Sequence, residues 1–301
     1  MIVYDICDLV KIYPGQMQPA NKSISLQINQ SEVFGLLGDN GAGKSTLVRQ
    51  MVNLTRSTSG SITLFGQSIE RDPMLVPTNV GYMPQDALAL NNLTAGESLY
   101  FTAHLRGLSR ADAWVERDRL LDAMGLGELR DRIVPRLSGG QRRLLQIAIA
   151  MAANPPVMIL DEPTHNLDPQ RRKLVWDTLR QVNRERGTTI IFITHDAIEA
   201  EKVIQRVGIL REGELVALGR PSDLKQSVDK KLRLELFFAL DSPPSLPSHL
   251  PCRVLDAGHW LVLLELDEVT PVLNQLDLNR LDDFRLYSAT LEDLYLHYAK
   301  Q

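Results

Sequence analysis

Gly38-Asp39-Asn40-Gly41-Ala42-Gly43-Lys44-Ser45 stands between an apolar run and a helical pattern. The run, Val33-Phe34-Gly35-Leu36-Leu37, reads as a buried strand feeding a loop, and the helical pattern continues to about Asn53. A glycine-rich loop in that setting is a phosphate cradle. Glycines such as Gly38, Gly41 and Gly43 let the backbone bend with no side chain in the way. Its N–H groups and the helix N-terminus then face an anion. Lys44 sets a cation against β- and γ-phosphates, and Ser45 offers a hydroxyl to Mg²⁺. Asn40 and Thr46 belong to the same nucleotide-binding set.

Outward from the loop, Val157-Met158-Ile159-Leu160-Asp161-Glu162 is an apolar strand ending in two carboxylates. A strand that buries its body delivers those acids at its C-terminal tip, where open α/β sheets bind ligands. Asp161 is placed to hold magnesium, and Glu162 to polarise an attacking water as general base. Val80–Met83 and Thr189–Ile193 are further strands, and Pro169–Arg186 is a helix stopped by Gly187. Ile24–Ile28, which alternates, and Ser61–Phe65 are also read as strands. Strand–helix–strand alternation indicates an α/β fold with a mostly parallel sheet. No internal repeat is visible.

Thr94–Gly125 is helical and amphipathic, with Leu99, Phe101, Leu105, Trp114, Leu120, Leu121 and Met124 at the apolar positions. A helix follows from Gly139 to about Ala153 and stops at Asn154-Pro155-Pro156. Residues 1–225 form one domain on this reading, with a helical subdomain at about 90–150; residues 226–301 form a small α+β domain. The second domain reads as strands Leu232–Ala239, Arg253–Asp256, Trp260–Leu266 and Phe284–Ser288 with helices Val269–Leu276 and Leu291–Ala299. It carries no chemical motif, and Tyr295 and Tyr298 are candidates for its packing contacts.

The net charge of −4 over 301 residues gives no global attraction to nucleic acid, and no nucleic-acid partner is expected. The two cysteines, Cys7 and Cys252, make no metal-type spacing and suggest reducing cytosol. The start of the chain does not read as a signal peptide. The most apolar stretch, Leu144–Leu160, is too short and too interrupted to span a membrane.

Leu137-Ser138-Gly139-Gly140-Gln141 resembles the signature sequence of the ATP-binding-cassette (ABC) family, in the expected order between the phosphate loop and the carboxylate strand. Ser138 reads as an N-cap with exposed N–H groups behind it, a second anion site. The resemblance implies a P-loop ATPase domain with an inserted helical subdomain that hydrolyses ATP with Mg²⁺. It also implies a head-to-tail dimer with a second copy, in which Ser138, Gly139, Gly140 and Gln141 of one protomer close on the ATP of the other. On the family pattern, Gln85 is the glutamine-loop residue that touches magnesium. His195 is the switch histidine, Tyr13 stacks on adenine, and Leu167 and Asp168 cross the dimer interface. The chain departs from the pattern at His165-Asn166, where the family usually has Ser-Gly. Overall length, the segment from Asn92 to Leu108 and Leu291-Glu292-Asp293-Leu294-Tyr295 are similar to bacterial exporter subunits. Those dock on a separate transmembrane permease subunit from the cytoplasmic face. The competing readings are a soluble regulatory ATPase of the same family and an importer ATPase with a regulatory C-terminal domain.

Overall fold

The computed structural model describes residues 1–85, 91–194, 201, 203–228, 231–240, 243–247, 249–290 and 293–294. The chain divides into two compact units, Met1–Gly219 and Arg220–Gln301.

The first unit holds two sheets. One is antiparallel, in the order β2-β1-β4-β5, from β1 (Ile2–Lys11), β2 (Asn21–Asn29), β4 (Ser59–Leu64) and β5 (Gln67–Ser68). The other has the order β10-β9-β3-β8-β7-β6. Its members are β3 (Val33–Leu37), β6 (Val80–Met83), β7 (Val157–Asp161), β8 (Thr189–Ile193), β9 (Arg206–Arg211) and β10 (Glu214–Gly219). From β9 through β6 the strands run parallel, and β10 closes the edge antiparallel. Every residue of β3, β7 and β8 is buried, which is why these strands are continuous apolar runs. β2 alternates buried and exposed along much of its length, as a sheet packed on one side does. The two sheets share a core that includes Tyr4, Ile6, Phe34, Leu47, Met51, Ile159 and Ile191.

Among the described residues, the helices of this unit are α1 (Lys44–Met51), α2 (Leu75–Asn79), α3 (Ala95–Leu105), α4 (Arg110–Ala123), α5 (Gly139–Met151) and α6 (Pro169–Arg186). Local chemistry sets several of their ends. Thr94 and Glu97 form a reciprocal capping box on α3, and Ser109 caps α4. Asp168 caps α6 with Pro169 as its first residue, and Gly187 ends it at φ +66°.

Two expectations are corrected in α3 and α4. The helical stretch is broken between them, where Gly107 takes φ +101°. Phe101, Leu105 and Trp114 are 44%, 84% and 47% exposed rather than core. Helix α3 carries two apolar stripes: Ala95, Leu99 and Ala103 recur at i+4, and so do Phe101 and Leu105. Two residues apart is about 200° around the helix, so only one stripe turns inward. The stripe with small residues packs closest and wins.

In the second unit, β11 (Leu232–Phe238), β12 (Cys252–Asp256), β13 (His259–Leu264) and β14 (Leu281–Ser288) form an antiparallel sheet in the order β12-β13-β11-β14. Helix α7 (Pro221–Val228) precedes it and α8 (Val269–Gln275) lies in it. Leu234, Leu236, Val262 and Leu264 pack with Val272 and Leu276 into a separate core. The helix expected over Leu291–Ala299, with Tyr295 and Tyr298, lies outside the described residues apart from Asp293 and Leu294.

Candidate functional site

Register places the site. Leu36 pairs with Ile193, Asp161 with Ile193, and Met83 with Leu160. Four parallel strands therefore end level. The segments that follow them, at Gly38, Gln85, Glu162 and Thr194, open on one edge of the sheet, where such sheets bind ligands.

The phosphate loop is held open by its own dihedrals and by its surroundings. Gly38, Gly41 and Gly43 sit at φ +153°, +89° and +100°. A β-carbon on Gly43 would lie 2.4 Å from the Ala20 carbonyl oxygen and 2.7 Å from Asn21 Nδ2. Asn21 is fully buried and donates from Nδ2 to the Gly43 carbonyl at 3.1 Å, while its Oδ1 accepts from Gln50 at 2.7 Å. The Gly213 N–H donates to the Ala42 carbonyl at 3.0 Å. These two struts were not among the candidate residues. Asn21 carries a faint signal, a polar residue opening an otherwise alternating strand, whereas Gly213 carries none.

Lys44 is buried and folds back over the loop, donating from Nζ to the carbonyls of Gly38 at 2.5 Å and Asp39 at 2.9 Å. Burial lowers its pKa, and the charges of Glu162, Asp161 and Asp39 oppose that shift. No side chain caps α1. Its first-turn N–H groups, orphaned by helix geometry, are thus available to an anion. Asn40 and Ser45 are exposed beside it. The Tyr13 hydroxyl lies 3.4 Å from Thr46 Oγ1, and Lys11 Nζ stands 5.1 Å from the Tyr13 ring centroid.

At the tip of β7, Asp161 is buried and its pKa is pushed up to about 6. Burial is the main cause and the adjacent Glu162 the second; Lys44, Arg143 and Arg49 pull the other way. A carboxyl so placed favours a cation brought by a ligand. Magnesium is ordinarily held by one or two carboxylates together with substrate phosphates, and Asp161 with the Ser45 hydroxyl suits that pattern. Glu162 takes φ +52°, a left-handed conformation that costs a residue with a long side chain of order 1–3 kcal/mol. Its N–H donates to Ile193 O at 2.8 Å, and its Oε2 accepts from Thr194 Oγ1 at 3.1 Å. The neighbouring strand thereby pins the acid's backbone and side chain.

The departure at His165-Asn166 has a structural explanation. Asn166 sits at φ +61°, the conformation for which the usual glycine is suited. Asparagine is among the few other residues that adopt it routinely. Beyond it, Leu167 is buried and Asp168 is an exposed cap whose Oδ1 accepts from Arg171 N at 2.9 Å. Backbone hydrogen bonding to Arg171 is the first cause that holds the Asp168 carboxyl below its usual range.

Ser138 caps α5: its Oγ accepts from Gln141 N at 3.3 Å, and Gln141 Oε1 accepts from Ser138 N at 2.9 Å. Gly139 opens to free space, whereas a β-carbon on Gly140 would meet Arg171 Nη1 at 3.0 Å. Arg171 in turn bridges to Asp168 at 3.2 Å. The signature glycines and the loop after Glu162 are thus linked within one chain. Gln85 is exposed, and its carbonyl accepts from Arg143 Nη1 at 3.1 Å. His195 lies outside the described residues.

Residues 21–165 match a family model described as ABC transporter. Over 229 residues the chain is 37% identical to the daunorubicin/doxorubicin resistance ATP-binding protein DrrA of Streptomyces peucetius, covering 76% of this chain and 68% of that one. Over 218 residues it is 36% identical to the retinal-specific phospholipid-transporting ATPase of Mus musculus, covering 72% of this chain. The chain spans only 9% of that much longer protein. A solved structure of the ATP-binding subunit of an ABC transporter superposes with a TM-score of 0.70 at 26% identity, covering 75% of this chain and 92% of the other.

Proposed function

The chain belongs to the ABC transporter family of ATP-binding proteins, and from that premise we propose that it is the ATP-hydrolysing subunit of an exporter. The observation that carries the site assignment is the level strand tips, which bring the phosphate loop, Asp161, Glu162 and Gln85 to one edge. A drug-resistance ATP-binding protein among the relatives supports export over import.

ATP is the substrate. The first-turn N–H groups of α1 and Lys44 hold its β- and γ-phosphates, and Lys44 trades its carbonyl partners for phosphate oxygens. Tyr13 offers a face to adenine beside Thr46. The chemistry Mg²⁺ supplies when bound through Asp161 and Ser45, with Gln85 nearby, is neutralisation of phosphate charge. Glu162 takes a proton from water as its oxygen attacks the γ-phosphorus, and the bond to the ADP oxygen breaks. General-base assistance of this kind is worth about 10²- to 10⁴-fold. The family resemblance assigns His195 the switch role on the γ-phosphate.

Two copies meet head to tail, so that Ser138, Gly139, Gly140 and Gln141 of one face the nucleotide of the other, with Asp168 at the seam. The pair sits on the inner face of the membrane through a separate permease; no helix among the described residues is long and apolar enough to cross a membrane. The permease contacts the exposed aromatic cluster of α3 and α4. There Tyr100 lies 4.5 Å from Trp114 between ring centroids, Phe101 is exposed, and the Arg117 guanidinium is 4.0 Å from the Trp114 centroid. The C-terminal domain steadies the dimer and performs no chemistry.

The test is Glu162→Gln, which keeps ATP binding and loses steady-state hydrolysis; wild-type turnover would end the assignment. Mixing Lys44→Ala chains with Ser138→Arg chains tests the shared site. Heterodimers contain one intact composite site and recover part of the activity, whereas independent sites give no recovery.

A further inference from the structure

Helix α5 is fastened to β6 near its C-terminal end and to Gln85, just beyond β6, near its N-terminal end. At its C-terminal end, a β-carbon on Gly81 of β6 would lie 1.9 Å from the Ala150 carbonyl oxygen, so helix and strand touch backbone to backbone. Arg106 closes this end, donating from Nη1 to the carbonyls of Ile149, Ala150 and Ala152 at 3.2, 3.1 and 2.9 Å. Four residues further along the chain from Gly81, the Gln85 carbonyl accepts from Arg143 at 3.1 Å. The helix therefore runs antiparallel to the strand. Its N-terminus overhangs the strand tips, and Ser138 stands about 7–8 Å beyond Arg143 at the rise of an α-helix.

Arg143 is 8% exposed, unusual for an arginine, and the same Nη1 also donates to Gln146 Oε1 at 3.2 Å. Buried charge-assisted bonds are the stronger kind, and they are costly to break on one side only. We propose that Arg143 is a positioning residue that clamps the signature helix to the backbone at Gln85. A displacement of either at nucleotide closure then carries the other with it. The proposal rests on the ATPase reading above. Arg143 is assigned no contact with substrate or the reacting atoms, although its charge also acts on Asp161; its role here is to set where Gln85 and the signature glycines stand when the site closes. Gln146, one turn along, fixes the guanidinium in that role.

The experiment is steady-state ATPase kinetics of the full-length chain carrying Arg143→Met, Arg143→Lys and Gln146→Leu, with ATP affinity and Tm measured on each. Arg143→Met keeps the stem's packing and removes the donors. It should lower kcat about 10- to 100-fold, the equivalent of one charge-assisted hydrogen bond, while ATP affinity stays within about threefold because the phosphate loop is untouched. Arg143→Lys should restore part of kcat, and Gln146→Leu should give a smaller loss with the same split. Wild-type kcat in Arg143→Met overturns the clamp. So does a parallel fall of kcat, ATP affinity and Tm that Arg143→Lys fails to relieve, since that pattern marks a purely structural arginine. If Arg143→Met fails to fold, a wild-type kcat in Gln146→Leu and Arg143→Lys together overturns it. Failure of the ATPase reading is separable, because it would show as full turnover in Glu162→Gln.

Discussion

Replacing Gly43 by alanine tests how the phosphate loop is held. Gly43 sits at φ +100°, outside the narrow left-handed well open to alanine, and the dihedral alone costs about 1–2 kcal/mol. The added methyl would meet Ala20 O at 2.4 Å. That oxygen cannot retreat cheaply. The Ala20 N–H is bonded to Lys11 O at 2.7 Å, the Lys22 N–H to Gly213 O at 2.7 Å, and the Asn21 between them is tied to Gly43 and Gln50. Overpacking against fixed atoms adds about 1–3 kcal/mol. Gly43→Ala should therefore lose about 2–5 kcal/mol. Gly41→Ala is the internal reference. Gly41 takes φ +89°, but its β-carbon would meet nothing within 4 Å, so only the dihedral cost of about 1–2 kcal/mol applies. Urea unfolding of both variants at one pH measures the difference directly. A gap of 1 kcal/mol corresponds to roughly 2–4 °C in Tm for a unit of this size. Fluorescent-nucleotide titration should show weaker binding in Gly43→Ala, because the loop's last glycine and α1 share the displaced backbone. Equal stability and equal ATP affinity in the two variants would refute the role given to Ala20 and Asn21.

Asp161→Asn should stabilise the protein at pH 7 in buffer free of nucleotide and magnesium. The Asp161 pKa rises from 3.8 to about 6 on folding, so its contribution to stability is fully present below pH 4 and is lost as pH rises through 6. The shift of about 2 units sets an upper bound of about 3 kcal/mol on the gain, and urea unfolding should show the gap between variant and wild type close as pH falls to 4. Asn166→Gly should leave stability within about 0.5 kcal/mol, whereas Asn166→Val should cost about 2 kcal/mol or more, because a β-branched side chain resists φ +61°; thermal unfolding reads both. Tyr100→Asp should weaken co-purification with the permease and leave basal ATPase unchanged, since the ring lies in the α3–α4 aromatic cluster and is not among the groups assigned to the nucleotide; unchanged association and transport would remove that surface from the docking site.

The chemistry of the site was legible because each motif is local. A phosphate loop needs only a strand, glycines and a helix start in sequence, and Val33–Ser45 contains all three. The acids of Asp161 and Glu162 follow from a strand apolar enough to be buried on both faces, and the Ser138 cap follows from the spacing of Ser138 and Gln141. Buried strands such as Val80–Met83 and Thr189–Ile193 could be bounded to the residue for the same reason. Even the His165-Asn166 departure was visible, although its meaning was not: the sign of a φ angle at Asn166 is a property of the folded loop.

What only the tertiary structure decided depends on residues far apart in the chain. Helix α3 offers two apolar stripes of equal period, and their spacing does not tell which one turns inward; packing buried Ala95, Leu99 and Ala103 and left Phe101 and Leu105 outside. The hold of Asn21 on Gly43 spans 22 positions, and that of Arg143 on Gln85 spans 58. Burial then gives those contacts their weight, because a hydrogen bond removed from water is costly to leave unmade. Sequence supplies the reactive groups through short-range rules of backbone and polarity. Their placement on one sheet edge, and the buried residues that keep them there, come from long-range packing that no single segment encodes.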